Sequence, residues 1–359
     1  MKIVHVTSDW KWTGPAAPML TLLRAQRDRG DEVQLVCPPP PGAGTSLRRA
    51  ARACGVEPAL EIARGRGAVG WRDGSDVARL RRLLRRQRFD VVHVWHTRDH
   101  VLALRASAGL RRAGLTHLVR SWQRAEAVPD RSWNRWLFGP GTDGLWCVSP
   151  GAVSRNAALR SGRPLSGRLG AVDLVRFRPR RPDSRVRAAL GIRPEHRVVA
   201  IVARAQPQRR FDLLLAAMQR LADGDAKARL LVIGRGTRAR ELAVAPAARM
   251  GLADRVVFAG YRGPDYADVL RAADVFTLLV PGSDGGCRAL LEAAACGLPA
   301  VTTRRGAMPE IVVHGETGCV VDEDADALAA AWRRLLADPQ LRAAIGAARG
   351  RLLRLLFVE

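Results

Sequence analysis

The segment DVFTLLVPGSDGGCRALLEAAACGLPAVTT (residues 274–303) reads as strand, turn, helix and strand. The apolar run 274–279 has the length of a buried strand. Pro281 to Gly286 make a glycine-rich turn. Small residues then follow in a helical pattern over 287–296, closed by Gly297 and Pro299, before a second apolar run at 299–303. Strand–helix–strand units of this kind build parallel sheets. Two carboxylates lie in the segment, Asp284 and Glu292, eight positions apart. On a helix they share nearly one face, roughly 12 Å apart along the axis. Free backbone N–H groups at 285–288 would point at the strand ends, and such a helix start binds phosphate. Acceptors on both sides of such donors suit a ligand with hydroxyls at its ends and phosphates between, as in a nucleotide-sugar. An N-capping Asp284 and a solvated Glu292 explain the same residues. The segment alone leaves both readings open.

The same rhythm runs through the chain. MKIVHV (1–6), EVQLVC (32–37), VVHVW (91–95), THLVRS (116–121) and LWCVS (145–149) read as buried strands, with helical patterns around 16–29, 76–88, 99–112 and 150–160. Beyond them, VVAIVA (198–203), RLLVIG (229–234) and RVVFAG (255–260) join the opening segment's strands. Helices fit 211–222, 238–250, 265–272, 308–313, 324–336 and 338–356. Residues 176–196, charged and proline-bearing, read as a linker with one short helix. The expected architecture is α/β, with two Rossmann-like, doubly wound parallel-sheet domains over 1–174 and 175–359 and a cleft between them for ligand.

Composition narrows the class. The 359 residues carry a net charge of +25, but of 59 basic residues only Lys2, Lys11 and Lys227 are lysine. Such an arginine skew in an Ala- and Gly-rich chain reflects codon composition in part. It still makes the surface attractive to anions, acidic lipid head groups included. A nucleic-acid binder driven by charge would show a recognisable binding module, and the sequence has none. Six scattered cysteines without a CxxC pair predict reduced thiols and no metal. No apolar run reaches membrane-spanning length, and the opening strand pattern lacks a signal peptide's apolar core. A cytoplasmic protein is expected.

Upstream of the opening segment, the strand at 198–203 is followed by Arg204, then by Arg209 and Arg210 at the next helix start. Arg204 and Arg209 can neutralise a diphosphate, including charge that develops as it leaves. Two solvated arginines in an arginine-rich protein explain them equally. Together the motifs resemble a family. Arg204…Arg209, then VIGRG with Gly234 and Gly236, then Asp284…Glu292, match in order the R-x4-K, G-x-G and E-x7-E pattern of the family 4 retaining glycosyltransferases with the GT-B fold. MKIVHVTSDWKWTGP resembles the family's opening strand and loop, with Gly14 where a glycine contacts phosphate. VVHVWH resembles its H-x-H strand end with altered spacing, at His93 and His96. AVDLVRFRP (171–179) and GAMPEIVVHGETGCVV (306–321) resemble its later signatures. The likeness covers about residues 1–355.

The resemblance implies transfer of a sugar from a UDP- or GDP-sugar with retention and without a metal ion. It assigns Glu292 to the nucleotide ribose, Asp284 to the donor sugar and Arg204 and Arg209 to the diphosphate. Backbone groups from Gly286 through Cys287 to Arg288 complete the cradle. The chain departs from the pattern at Asp284 for Glu, Arg209 for Lys, Arg210 for Gly and Gln123 or Trp122 for a His. These departures raise the alternative of a weak or non-catalytic homologue that binds a nucleotide-sugar or a partner. The final helix also ends early, at LLRLLFVE (352–359), so a helix crossing back to the first domain is expected to be short or missing.

On the acceptor side, Trp10, Trp12, Trp95 and Trp122 fall at expected strand ends, with His96 and Gln123 beside them. Aromatic faces there can stack on a sugar acceptor, and each can equally fill core. DVARLRRLLRRQRF (76–89) sets Leu80, Leu83 and Leu84 against arginines. It reads either as the solvated face of an ordinary amphipathic helix or as a basic helix peripheral to an anionic membrane. Membrane contact would make the acceptor a lipid-linked or envelope glycan precursor.

Overall fold

The computed structural model describes the chain apart from residues 12–15, 43–45, 64–72, 161, 283–284 and 358–359, and beyond residue 351 it describes backbone only. The chain divides into two compact units, Met1–Leu169 and Gly170–Glu359. The sequence reading puts the boundary near 174; the division lies just before AVDLVRF, which belongs to the second unit.

In the first unit, β1 (Lys2–Val6), α1 (Ala16–Asp28), β2 (Glu32–Val36), α2 (Leu47–Ala53) and β3 (Pro58–Leu60) run toward one sheet edge. Then α3 (Gly74–Gln87), β4 (Val91–Val94), α4 (Thr97–Arg112), β5 (His117–Trp122), α5 (Ser132–Phe138), β6 (Gly144–Cys147), α6 (Pro150–Asn156) and β7 (Leu165–Gly167) run toward the other. The second unit has α7 (Ser184–Ala189), β8 (Arg197–Val202), α8 (Phe211–Gly224), β9 (Ala228–Ile233), α9 (Ala245–Arg249), β10 (Val256–Gly260) and α10 (Tyr266–Arg271). It continues with β11 (Val275–Leu278), α11 (Arg288–Ala295), β12 (Ala300–Thr302), α12 (Met308–Ile311), β13 (Gly318–Val320), α13 (Ala325–Ala337) and α14 (Pro339–Phe357).

Every strand pairing is parallel, in the orders β3-β2-β1-β4-β5-β6-β7 and β10-β9-β8-β11-β12-β13. Parallel pairing brings each crossover back to the same edge, so all carboxyl ends of a sheet share one side. The strand order reverses once per sheet, between β1 and β4 and between β8 and β11. Loops diverge at such a reversal and leave a crevice.

Each expected strand is present, and the pattern missed β3, β7 and β13. These have three residues each and lie at sheet edges, too short for periodicity to register. The helix expected over 238–250 is not continuous. A π-helical turn, Arg240–Val244, precedes α9. Pro246 in its first turn has no N–H to give and crowds the preceding carbonyls, which widens the turn before it.

The second unit's core centres on Trp332 of α13, fully buried against a cluster that includes Leu214, Met218 and Leu221 of α8. The C-terminal helix α14 packs on α11 and α13. A Cβ at Gly346 would lie 2.2 Å from the Gly297 carbonyl oxygen. Arg349, fully buried, donates to the Thr317 and Leu290 carbonyls at 3.0 Å each. The side chains of LLRLLFVE lie outside those described.

At the ends of β8 and β9 two loops touch. Gly234 has φ +139, and a Cβ there would meet the Ala203 carbonyl oxygen at 2.3 Å; at Gly236 it would meet that of Ala205 at 2.6 Å. Both glycines are therefore required by the approach of backbone to backbone. Gly234→Ala is expected to cost roughly 2–4 kcal/mol of stability, from the strained φ and the clash together. Urea unfolding checks this, and a loss below half a kcal/mol would show that the loops can part freely.

At the first unit's reversal, His5 on β1 faces His93 on β4, with ring centroids 4.8 Å apart, and Trp95 stacks on His93 at 4.9 Å. Trp95 Nε1 donates to His5 Nδ1 at 3.1 Å, and His5 Nε2 lies 2.8 Å from Gln26 Oε1. Indole only donates, so one neutral tautomer, with the proton on Nε2, satisfies both bonds. Burial lowers His5 from its usual 6.5 to about 4. The unfolded chain therefore binds the extra proton first, and stability falls as pH drops from about 6.5 toward 4. For His5 alone the loss is about 3 kcal/mol across that window. Histidine titration by NMR, with unfolding at each pH, tests it; a His5 midpoint near its usual value would contradict the buried neutral ring.

Candidate active site

The second unit's reversal point is tied by one hydrogen bond. Arg209 is 7% exposed, and its Nη1 donates to the Val280 carbonyl at 2.6 Å. Arg209 lies in the loop after β8 and Val280 in the loop after β11, the two strands flanking the reversal. Among the described residues no carboxylate pairs with Arg209, and burial draws its pKa below the ordinary range. A cation removed from water without a counter-charge is costly, and an anion entering beside it relieves that cost. Arg204, exposed on the same loop, adds a second positive charge near it.

Two helices start at this point in strained geometry. Arg210 (φ 53, ψ 46) caps α8 and Cys287 (φ 53, ψ 42) caps α11, both in the left-handed region. Each costs about 1–3 kcal/mol in a residue with a Cβ. The conformation explains why a glycine is the ordinary choice where Arg210 stands. An ion pair from Arg210 Nη1 to Glu323 at 2.9 Å helps hold it. Gly285, Gly286 and Cys287 are buried ahead of α11, and Arg288 is its first residue, half-buried. Asp284 lies outside the described residues.

Glu292 is not the solvated residue of a surface helix. It is 6% exposed, and its Oε2 accepts from the Tyr266 hydroxyl at 2.8 Å while its Oε1 lies 3.4 Å from Arg288 Nε. Tyr266 begins α10, and burial with the neighbouring Glu292 charge raises its pKa well above the usual value. Behind it, the buried Phe177 ring meets Tyr266 edge-on at 5.6 Å. The Arg176 guanidinium lies over both rings and donates to the Gly263 carbonyl at 2.6 Å. The Arg-Phe of AVDLVRFRP thus braces Tyr266, which orients Glu292. Sequence reasoning missed Tyr266; its one signal is rarity, as one of two tyrosines in the chain.

The acceptor-side residues divide differently from expectation. Trp95 is 5% exposed and packs in the first unit's core with Leu20, Leu23 and Leu35. Trp122 is 8% exposed, edge-on to Phe138, and donates to the Glu126 carbonyl at 2.7 Å. Both fill core, because each side chain turns onto the helix layer covering its strand, and neither offers a face for stacking. Trp10 is half-buried, with the Lys11 ammonium 5.2 Å from its ring. Trp12 and Gly14 lie outside the described residues.

His96 and Gln123 follow the ends of neighbouring strands β4 and β5. Gln123 is half-buried, and its Oε1 has no hydrogen-bond partner among the described residues. His96 Nδ1 lies 3.0 Å from Asp99 Oδ2 and 3.3 Å from Thr7 Oγ1. Asp99, fully buried, also accepts from the backbone of Ser8 at 2.6 Å and of His96 at 2.9 Å. One carboxylate therefore locks together the two loops that open at the first unit's reversal. The sequence reading did not single out Asp99; its place three residues into a helix after His96 is the pattern of a capping box.

Comparison with known proteins identifies the family and the fold. The family models described as Glycosyltransferase Family 4 and Glycosyl transferases group 1 match residues 13–160 and 196–338. The chain is 33% identical over 288 residues to the GDP-mannose-dependent alpha-(1-6)-phosphatidylinositol monomannoside mannosyltransferase of Mycolicibacterium smegmatis, covering 76% of this chain and 73% of that one. Over 183 residues it is 36% identical to the D-inositol 3-phosphate glycosyltransferase of Rhodococcus opacus, covering 49% of this chain and 41% of that one. In fold it is similar to the crystal structure of Anabaena HepE in complex with UDP and glucose, with a TM-score of 0.80 at 19% identity over 99% of this chain and 95% of that one. The chain belongs to the group 1, family 4 glycosyltransferases and has their GT-B architecture of two Rossmann-like units.

Proposed function

We propose that this glycosyltransferase takes a GDP-sugar, GDP-mannose foremost, and transfers its hexose with retention to a hydroxyl of a lipid-linked, inositol-containing acceptor. The activities for which the Mycolicibacterium and Rhodococcus relatives are named support the donor and the acceptor class. The observation that carries the reading is the join at one reversal point of a buried Arg209, which no carboxylate among the described residues pairs, and a buried Glu292 already hydrogen-bonded to Tyr266. In this reading Arg204, Arg209 and the backbone N–H groups from Gly286 to Arg288 meet the diphosphate. Their charge is fixed before the reaction, so it stabilises the negative charge that grows on the leaving phosphate as the glycosidic bond breaks. The reading invokes no metal ion, because these groups already supply the positive charge. Glu292 accepts the ribose hydroxyls, and Gly234 and Gly236 hold the Arg204 loop in register. Asp284 is assigned to the donor sugar. His96 and Gln123 are assigned to the acceptor hydroxyls, with Trp10 beside them. A lipid-linked acceptor places the work at the cytoplasmic face of a membrane.

A thermal-shift series with GDP-mannose, GDP-glucose, UDP-glucose and ADP-glucose tests the donor. GDP-mannose at about a hundred times its Kd is expected to add about 2.7 kcal/mol of stability. No shift with any of the four would refute the site. Glu292→Ala removes a charged acceptor and is expected to weaken donor binding at least about tenfold. Tyr266→Phe leaves the carboxylate in place but loosens it, with an expected loss of about fivefold. Unchanged affinity in Glu292→Ala would move the ribose elsewhere. The anomeric configuration of the product, read by NMR, decides retention.

A further inference from the structure

The helix layer of the first unit carries a surface that donor chemistry does not use. α5 exposes Trp133 and Trp136, at 52% and 47%, with rings stacked 5.1 Å apart at 30°. They wall a groove of about 630 Å³ between α4 and α5, floored by Val101, Leu104 and Ala108 and ending at Pro140. Two large aromatic side chains left in water beside an apolar groove are a cost to the isolated protein that a partner removes.

The rim of the groove is cationic. Arg105 and Arg112 stand exposed on α4 and have no carboxylate partner among the described residues. Arg111 pairs with Asp143 at 2.6 Å, and Arg135 with Asp130 at 2.6 Å, so the nearby acids are already neutralised. Next to α4, Arg81 of α3 donates to the Arg105 carbonyl at 3.1 Å, which brings the arginine-rich side of α3 alongside. That helix does not itself insert into anything. Leu80 and Leu84 are fully buried in the core with Val92, Leu102 and Leu118, and Leu83 packs against them. Of the two sequence readings of residues 76–89, the ordinary amphipathic helix is the observed one. It supplies charge, and the apolar contact comes from α5.

We propose that the Trp133–Trp136 pair and the Arg105–Arg112 rim form the docking surface of this unit for an anionic phospholipid membrane. Indole rings favour the depth of the head groups, where an apolar body and an N–H are both accommodated. Guanidinium groups beside them meet lipid phosphates, and the apolar groove accepts the start of an acyl chain. Charge complementarity selects an anionic surface over a neutral one. The inference extends the reading of a lipid-linked acceptor and is tested without any acceptor, so its failure leaves the donor and acceptor assignments standing.

The full chain is sedimented with vesicles of phosphatidylcholine mixed with phosphatidylglycerol, and with vesicles of phosphatidylcholine alone. Binding is expected to the mixed vesicles and not to the neutral ones. Trp133→Ser with Trp136→Ser is expected to weaken it about tenfold or more. Arg105→Ser with Arg112→Ser is expected to weaken it about thirtyfold, at about 1 kcal/mol for each arginine near the surface. Both double variants should melt, and shift with donor, as the parent does, because these side chains lie outside the donor site. Quenching of tryptophan emission by bromine-labelled acyl chains should disappear in the tryptophan variant. Binding that ignores the tryptophan changes, or that polyuridylic acid abolishes at equal charge in the parent and the tryptophan variant alike, would overturn the proposal in favour of a general polyanion surface.

Discussion

The contact of Arg209 with the carbonyl of Val280 joins the two loops that leave the second sheet in opposite directions. Its consequences run both ways along the chain. Upstream, it fixes the end of the β8 loop against which Gly234 and Gly236 close. Downstream, it fixes the entry to the turn that delivers α11 and hence Glu292. A carbonyl satisfies one donor of a guanidinium but not its charge, so the contact holds the side chain in position and leaves its charge uncompensated.

Strain and buried polarity gather around these points. Arg210 and Cys287 both occupy left-handed backbone at helix starts beside the same crevice, and another such non-glycine residue, Arg88, closes α3 in the first unit. Conformations of this kind persist where surrounding contacts over-determine them. The first unit carries the counterpart in polar groups. Asp99 gathers Ser8 and His96, and His5 is held in one tautomer by Trp95 and Gln26. Each sheet therefore gathers buried polar contacts at its reversal, where the loops diverge.

Division of labour within the first unit follows from the same geometry. The β1–β4 reversal faces the strand ends with His96 and Gln123, whereas Trp133, Trp136 and the arginines of α4 lie on the helix layer. The proposed acceptor residues and the proposed docking surface thus lie on different layers and can be altered separately. Of the tryptophans that drew notice in the sequence, Trp95 and Trp122 are core. Of the exposed ones, Trp146 lies on β6, and Trp133 and Trp136 lie on a seven-residue helix too short for its periodicity to mark it out.

The α/β class and most of the strands and helices were legible in the sequence, while Gly234, Gly236, Arg204, Arg209 and Glu292 were singled out through the family resemblance. They rest on local patterns: apolar runs of strand length, glycines where backbones touch, and charges at fixed spacing from a strand end. What only the tertiary structure decided is which neighbour each side chain meets. Tyr266 and Glu292 are 26 residues apart and meet because α10 and α11 flank one strand, β11. Phe177 reaches Tyr266 from still farther along the chain. Whether a tryptophan at a strand end faces solvent or core depends on the helix packed against it. That pairing is set by chain segments distant in sequence, so no local pattern contains it.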